Sequence, residues 1–182
     1  MKPSLLISIF LIFLILLKKS QANKTQKIVT DTLIHKICPQ TKNPPFCMYI
    51  MNQFKGKPLL PKPFAGVMGM AQNQAKTTKE KILGLQNGIK DDKSELKLRY
   101  HKCLEKYTNA MNQLNEANRF MNSANIRSVK HYTSLAMSGV QSCDKEFAKS
   151  HEPSNLVKDN RKFQDLCSVT LAICDQVLPG RH

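Results

Sequence analysis

Residues 93–121 read KSELKLRYHKCLEKYTNAMNQLNEANRFM. Leu96, Tyr100, Cys103, Tyr107, Ala110, Leu114, Ala117 and Met121 recur in alternating steps of four and three. On a helix that spacing places all of them on one stripe, which has to be buried against other helices. The segment Lys93–Met121 is therefore expected to be a long bundle helix. Asp92 stands where an N-cap belongs, with Glu95 three residues on, in the pattern of a capping box. Lys97, Arg99, Lys102 and Lys106 fall off the stripe and read as a solvated basic face.

The same period extends outward on both sides, and no period-two alternation competes with it. Before it, Phe64, Val67, Ala71, Ala75, Thr78, Ile82, Leu85 and Ile89 mark a helix over Phe64–Ile89. Gly66, Gly69 and Gly84 weaken it by about 1 kcal/mol each relative to alanine. After it, Ser128–Lys149 reads as a third helix, with Val129, Tyr132, Ala136, Val140, Cys143 and Phe147 inward. Ser154 can cap a fourth, with a seam of Leu156, Phe163, Leu166, Thr170, Ile173 and Val177, closed by Pro179-Gly180. Four such helices joined by short loops pack as an up-down-up-down bundle over residues 64–178.

Two short helical pieces precede the bundle, Ile28–Ile37 and Phe46–Phe54. Cys38-Pro39 and Asn43-Pro44-Pro45 separate them, because proline disfavours helix at the residue before it. They form a helical hairpin over 28–54, followed by a stiff connector from Lys55 to Pro63. The expected fold class is all-α throughout.

The chain opens with Lys2 and a run of Leu, Ile and Phe from Leu5 to Leu17, broken only by Ser8. Thirteen residues fall short of the roughly 20 that a spanning helix needs. With Ser20-Gln21-Ala22 behind it, the run reads as a secretory signal peptide over residues 1–22, cleaved after Ala22. Lys18-Lys19 leaves an uncleaved anchor as the alternative. Residues 23–182 would then form one secreted domain, without a membrane span. Asn23-Lys24-Thr25 is a glycosylation sequon at its new N-terminus.

Losing residues 1–22 removes Lys2, Lys18 and Lys19 and no acid, taking the formal charge from +15 to +12. Such a charge favours anionic partners: pectin, anionic lipid or an acidic protein surface. Nucleic acid is disfavoured by the signal peptide and by the lack of interleaved aromatics. Six cysteines bound for an oxidising compartment read as a disulfide framework. With no C-x-x-C, and with His35, His101, His131, His151 and His182 scattered, neither metal nor cofactor is expected. Nor is catalysis, because G-x-S-x-G, H-E-x-x-H and phosphate-binding loops are all missing. Asp91-Asp92 is read as a capping pair.

The spacing of particular residues is more specific. Ile34-His35-Lys36-Ile37-Cys38, Thr41 and Pro45-Phe46-Cys47 resemble the N-terminal signature of the plant invertase and pectin methylesterase inhibitor family. Cys103, Tyr107, Ala110, Leu114 and Ala117 are similar to that family's second bundle helix. Ser134, Ala136, Cys143 and Phe147 resemble its third, and Asn160, Phe163, Leu166 and Leu171-Ala172-Ile173 its last. The likeness covers residues 28–178.

The resemblance implies two disulfides, Cys38–Cys47 and Cys103–Cys143. Cys167 and Cys174 remain over. Seven residues apart on a helix, they are separated by about 10 Å, beyond disulfide reach. They read as buried thiols, with an intermolecular disulfide or redox switch as the alternative.

The resemblance also implies a secreted, apoplastic inhibitor that caps an enzyme's substrate cleft in a one-to-one complex. Pectin methylesterase is the expected partner, and acid invertase is the alternative. The third and fourth helices look closest to pollen-type proteins described as invertase inhibitors. Against that, the Pro-Lys-Phe element associated with invertase inhibition is missing from Ser123–Tyr132, and Pro61–Phe64 lies before the wrong helix. A remoter alternative is a cationic protein that binds pectin or membrane directly. Asn118, Arg119, Arg127, Lys130 and Thr133 are the expected enzyme-facing residues. His131 would make binding depend on pH between about 5 and 7.

Overall fold

A computed structural model describes residues 27–91, 93–147 and 154–178. The expected signal peptide over residues 1–22, Asn23, Asp92, Lys149, the expected break at 151–153 and Pro179-Gly180 lie outside the described residues, as does the side chain of Ser154. Among the described residues the α-helices are α1 (Asp31–Ile37), α2 (Pro44–Asn52), α3 (Lys62–Asn87), α4 (Glu95–Asn122), α5 (Ile126–Phe147) and α6 (Ser154–Val177), with a 3-10 turn at Cys38–Gln40. Helices α3 to α6 form the bundle, with α3 against α4 and α6, and α5 against α4 and α6.

Cross-links show which helix ends meet. Arg99 of α4 donates to the Glu146 carbonyl of α5 at 3.1 Å, and Lys81 of α3 pairs with Asp159 of α6. The C-termini of α3 and α5 therefore share one end of the bundle with the N-termini of α4 and α6. At the opposite end Lys130 near the start of α5 pairs with Asp175 near the end of α6.

The α4 stripe is buried from Tyr100 through Ala117. Its first member is not: Leu96, the second residue of the helix, is 39% exposed. Helix α4 also starts later than a cap at Asp92 implies. The helix starts at Glu95 with Ser94 as the cap residue and no side-chain cap bond, and Glu95 pairs forward with Arg99. Asp91 instead accepts from the Lys93 amide at 3.0 Å, closing the preceding turn.

On α5 the buried set is Ile126, Val129, Thr133, Ala136, Val140, Cys143 and Phe147, in steps of three and four. Thr133 takes the inward place expected of Tyr132, because position on the helical period outweighs side-chain polarity. Helix α6 is buried on two sides. Leu156, Asn160, Phe163, Leu166 and Ile173 face the bundle, while Asp165 and Ser168 lie under the hairpin.

The hairpin is fastened to α6 by polar bonds. The Lys42 amide donates to Ser168 Oγ at 2.9 Å, and Asn43 Nδ2 to Asp165 Oδ2 at 2.9 Å. Asn43 Oδ1 also caps α2 by accepting from the Phe46 amide. Helix α1 starts later than its apolar pattern, since Thr30 caps it and Lys27–Val29 run extended against the connector. The Val29 amide bonds the Lys57 carbonyl and the Leu59 amide that of Lys27.

Cys38 is bonded to Cys47, and Cys103 to Cys143, with Cα separations of 5.4 and 4.8 Å. By loop entropy they contribute about 3 and 4 kcal/mol. Cys167 and Cys174 are buried free thiols.

Candidate binding surface

The turn between α4 and α5 organises one end of the bundle. Helix α4 ends in a Schellman arrangement. The Asn125 amide donates to the Phe120 carbonyl at 2.9 Å and the Ala124 amide to that of Met121 at 3.0 Å. Ala124 has φ 56°, the left-handed geometry this closure requires. Asn125 then caps the next helix, its Oδ1 accepting from the Ser128 amide at 3.2 Å. One residue thus closes α4 and opens α5. This cap starts α5 at Ile126, two residues before the expected Ser128, and puts Arg127 in its first turn.

Above this turn the rings of Phe120 and Tyr132 stack, 5.5 Å between centroids and 9° apart in plane. His131, exposed, meets Tyr132 edge-on at 5.3 Å. Both stacked rings are half-buried, so the stack is a preformed apolar platform at the rim of the core. The sequence signal for it was an aromatic at position 120, one place off the α4 stripe, together with Tyr132.

The five expected enzyme-facing residues have different fates. Asn118, half-buried, and the exposed Arg119 and Arg127 lie beside the turn. Both Glu116 oxygens accept from Arg119 Nη1 at 2.9 Å, an exposed pair of small energetic weight. Lys130 is tied to Asp175, so its charge is committed to the α5–α6 seam. Thr133 is fully buried, and its Oγ1 has no hydrogen-bond partner among the described residues. It belongs to the core and not to the surface.

Among the described residues no three His, Cys, Asp or Glu side chains gather as metal ligands, and no helix is long and apolar enough to cross a membrane. Arg99, of the expected basic face, holds the Glu95 carboxyl below its ordinary range. Lys102 pairs with Glu146 at 3.2 Å, and Lys97 Nζ donates to the Ile89 carbonyl. Part of that face therefore serves to join helix ends.

Two disulfides thus brace a helical bundle whose doubly capped turn carries an aromatic platform beside the exposed Arg119 and Arg127. The family model described as plant invertase/pectin methylesterase inhibitor matches residues 32–173, and the chain belongs to that family. It is 32% identical to a pectinesterase inhibitor of Actinidia deliciosa, over 97% of this chain and 95% of that one. It is 26% identical to pectinesterase inhibitor 1 of Arabidopsis thaliana, over 92% and 91%. The crystal structure of mutant form A of a pectin methylesterase inhibitor from Arabidopsis superposes with a TM-score of 0.71 at 25% identity, covering 81% of this chain and 98% of that one. The chain is thus a non-catalytic member of a family that inhibits pectin methylesterase or invertase.

Proposed function

We propose that this protein is secreted to the cell wall and inhibits pectin methylesterase there by forming a one-to-one complex that covers the substrate cleft. The α4–α5 end supplies the contact: the Phe120–Tyr132 platform with Asn118, Arg119 and Arg127 around it. The observation that carries this reading is the doubly capped turn, which holds the platform before any partner arrives. Little ordering entropy is then lost on association. Aromatic and arginine side chains are also those that dominate protein interfaces. A basic rim suits an acidic cleft and speeds encounter.

The choice of enzyme rests on two supports. The relatives named above are pectinesterase inhibitors across nearly their whole length. The turn Ser123–Asn125 is three residues long and holds no Pro-Lys-Phe. Two disulfides suit an oxidising compartment.

The test is a titration of the mature, oxidised protein against pectin methylesterase and acid invertase at mildly acidic pH. Esterase activity is expected to fall to a plateau at one equivalent, with invertase untouched. Loss of invertase activity alone would transfer the reading to that enzyme, and loss of neither would end it. Repeating the titration with His131→Ala from pH 5 to 7 tests the histidine. An unchanged pH profile dismisses its part.

A further inference from the structure

The hydrogen bonds that fasten the hairpin to α6, and α6 to α5, leave a row of cations outside them. Lys158, Arg161 and Lys162 are exposed at i, i+3 and i+4 on the outer face of α6. Lys145 is exposed near the end of α5, next to Asp144, whose carboxylate lies level with α6 residues 160–164. Lys42 of the hairpin, also exposed, extends the row toward the other end by donating to Gln164 Oε1 at 3.2 Å.

The described carboxylates near the row are hydrogen-bonded or paired with other residues. Asp144 accepts from Asn160 at 2.6 Å and from Gln164 at 2.7 Å. Asp159 pairs with Lys81, and Asp165 accepts from Asn43. None of the five cations has an ion pair with a described residue. A groove of about 310 Å³, lined by Asp144, Val157, Arg161 and Gln164, runs beside the row. The row lies toward the bundle end opposite the α4–α5 turn, so an occupant would leave the Phe120–Tyr132 platform open.

We infer that Lys145, Lys158, Arg161, Lys162 and Lys42 form a track for a linear acidic polysaccharide with closely spaced carboxylates. Lys158 lies one helical turn, about 5–6 Å, from both Arg161 and Lys162, a spacing that suits a chain carrying a carboxylate on every sugar. The track has no aromatic side chain on which a base would stack. None of the exposed large apolar side chains is on α6, so a lipid surface would find nothing to bury there. The inference rests on the placement of charge and holds whichever enzyme the other end inhibits.

The experiment is binding of the oxidised protein to polygalacturonate, with fully methyl-esterified pectin, anionic phospholipid vesicles and single-stranded RNA as rival probes. Polygalacturonate is expected to bind most tightly. The triple variant K158Q/R161Q/K162Q should lose tenfold or more in affinity, and its salt slope should fall by about 2. The variant K76Q/K79Q/K90Q removes the same charge outside the track and should stay within threefold of the parent. Equal losses in the two variants would mean that net charge alone is responsible and would overturn the track. So would equal binding of esterified pectin, or tighter binding of vesicles or RNA. Acetylation of the unmutated protein gives a check independent of any variant's folding. Polygalacturonate should protect Lys158 and Lys162 and not Lys76, and the reverse pattern would reject the assignment.

Discussion

The hydroxyl of Tyr107 in α4 donates to Asn160 Oδ1 of α6 at 2.7 Å, and both residues are buried. The Asn160 amide passes the contact on to Asp144 of α5 at 2.6 Å. Three of the four bundle helices are thereby held in register by polar bonds inside the core, where each unmet bond is costly. Asn160→Ala leaves the hydroxyl and the carboxylate short of a partner at once. It is expected to destabilise the fold by about 2–3 kcal/mol, and Tyr107→Phe by about 1–2. Urea denaturation of both and of the double variant checks this. Additive losses would show that the bond contributes nothing of its own.

Thr133 and Arg127 separate core from surface on one helix. Thr133→Val replaces a buried hydroxyl without a described partner by a methyl group of the same shape. It should raise stability by about 1 kcal/mol and leave inhibition unchanged. Arg127→Glu should leave stability within about 0.5 kcal/mol and weaken enzyme inhibition tenfold or more. Thermal unfolding and inhibitory titration of the same samples read both outcomes. Inhibition lost with Thr133→Val and kept with Arg127→Glu would reverse the assignment.

The glycines of α3 are not equivalent. A Cβ at Gly66 would stand 2.8 Å from Phe54 Cζ, whereas at Gly69 and Gly84 it would meet nothing within 4 Å. Gly69→Ala and Gly84→Ala should each stabilise by about 1 kcal/mol. Gly66→Ala should gain less or lose stability, since the Phe54 ring, packed against the core, has to shift. Denaturation midpoints of the three single variants test the order.

Burial raises both free thiols. Cys174 is pushed up to about 12 and Cys167 higher still, from an unfolded value near 8.5. A raised folded value means that the stabilisation is complete below about pH 8.5 and is lost as pH climbs toward 12. At pH 10 the two thiols together should weigh against folding by roughly 4 kcal/mol. Cys174→Ala should remove about half of that slope. Urea midpoints from pH 7 to 10 measure it, and identical slopes in parent and variant would refute it. Neither thiol should react with Ellman's reagent until the protein is unfolded.

Much of the architecture can be read along the chain, because a helix in a bundle must carry its buried face at a fixed period. The steps from Tyr100 to Ala117 are sufficient to place the longest helix. Pro39 likewise places the break in the hairpin, while Pro44 and Pro45, expected to lie before the second helix, form its first turn, where proline is tolerated. These signals are local and survive without the fold. Polarity misleads where position decides. Thr133 looks like surface and Tyr132 like core, yet the period puts the threonine inside and leaves the ring to Phe120.

Contacts between distant segments are decided only in the folded molecule. Asp165 and Ser168 are buried because the hairpin comes to rest on them, and nothing near them in the chain says so. The same holds for Lys130, whose charge is committed to Asp175 only once α5 and α6 lie antiparallel. Ala124 adopts a left-handed backbone although it is not glycine, because the bonds from Asn125 to both neighbouring helices hold it there. Period and proline act over a few residues and are written in order along the chain. Burial of a polar side chain, the pairing of a charge and the joint closure of two helices depend on which surfaces meet, and that only packing determines.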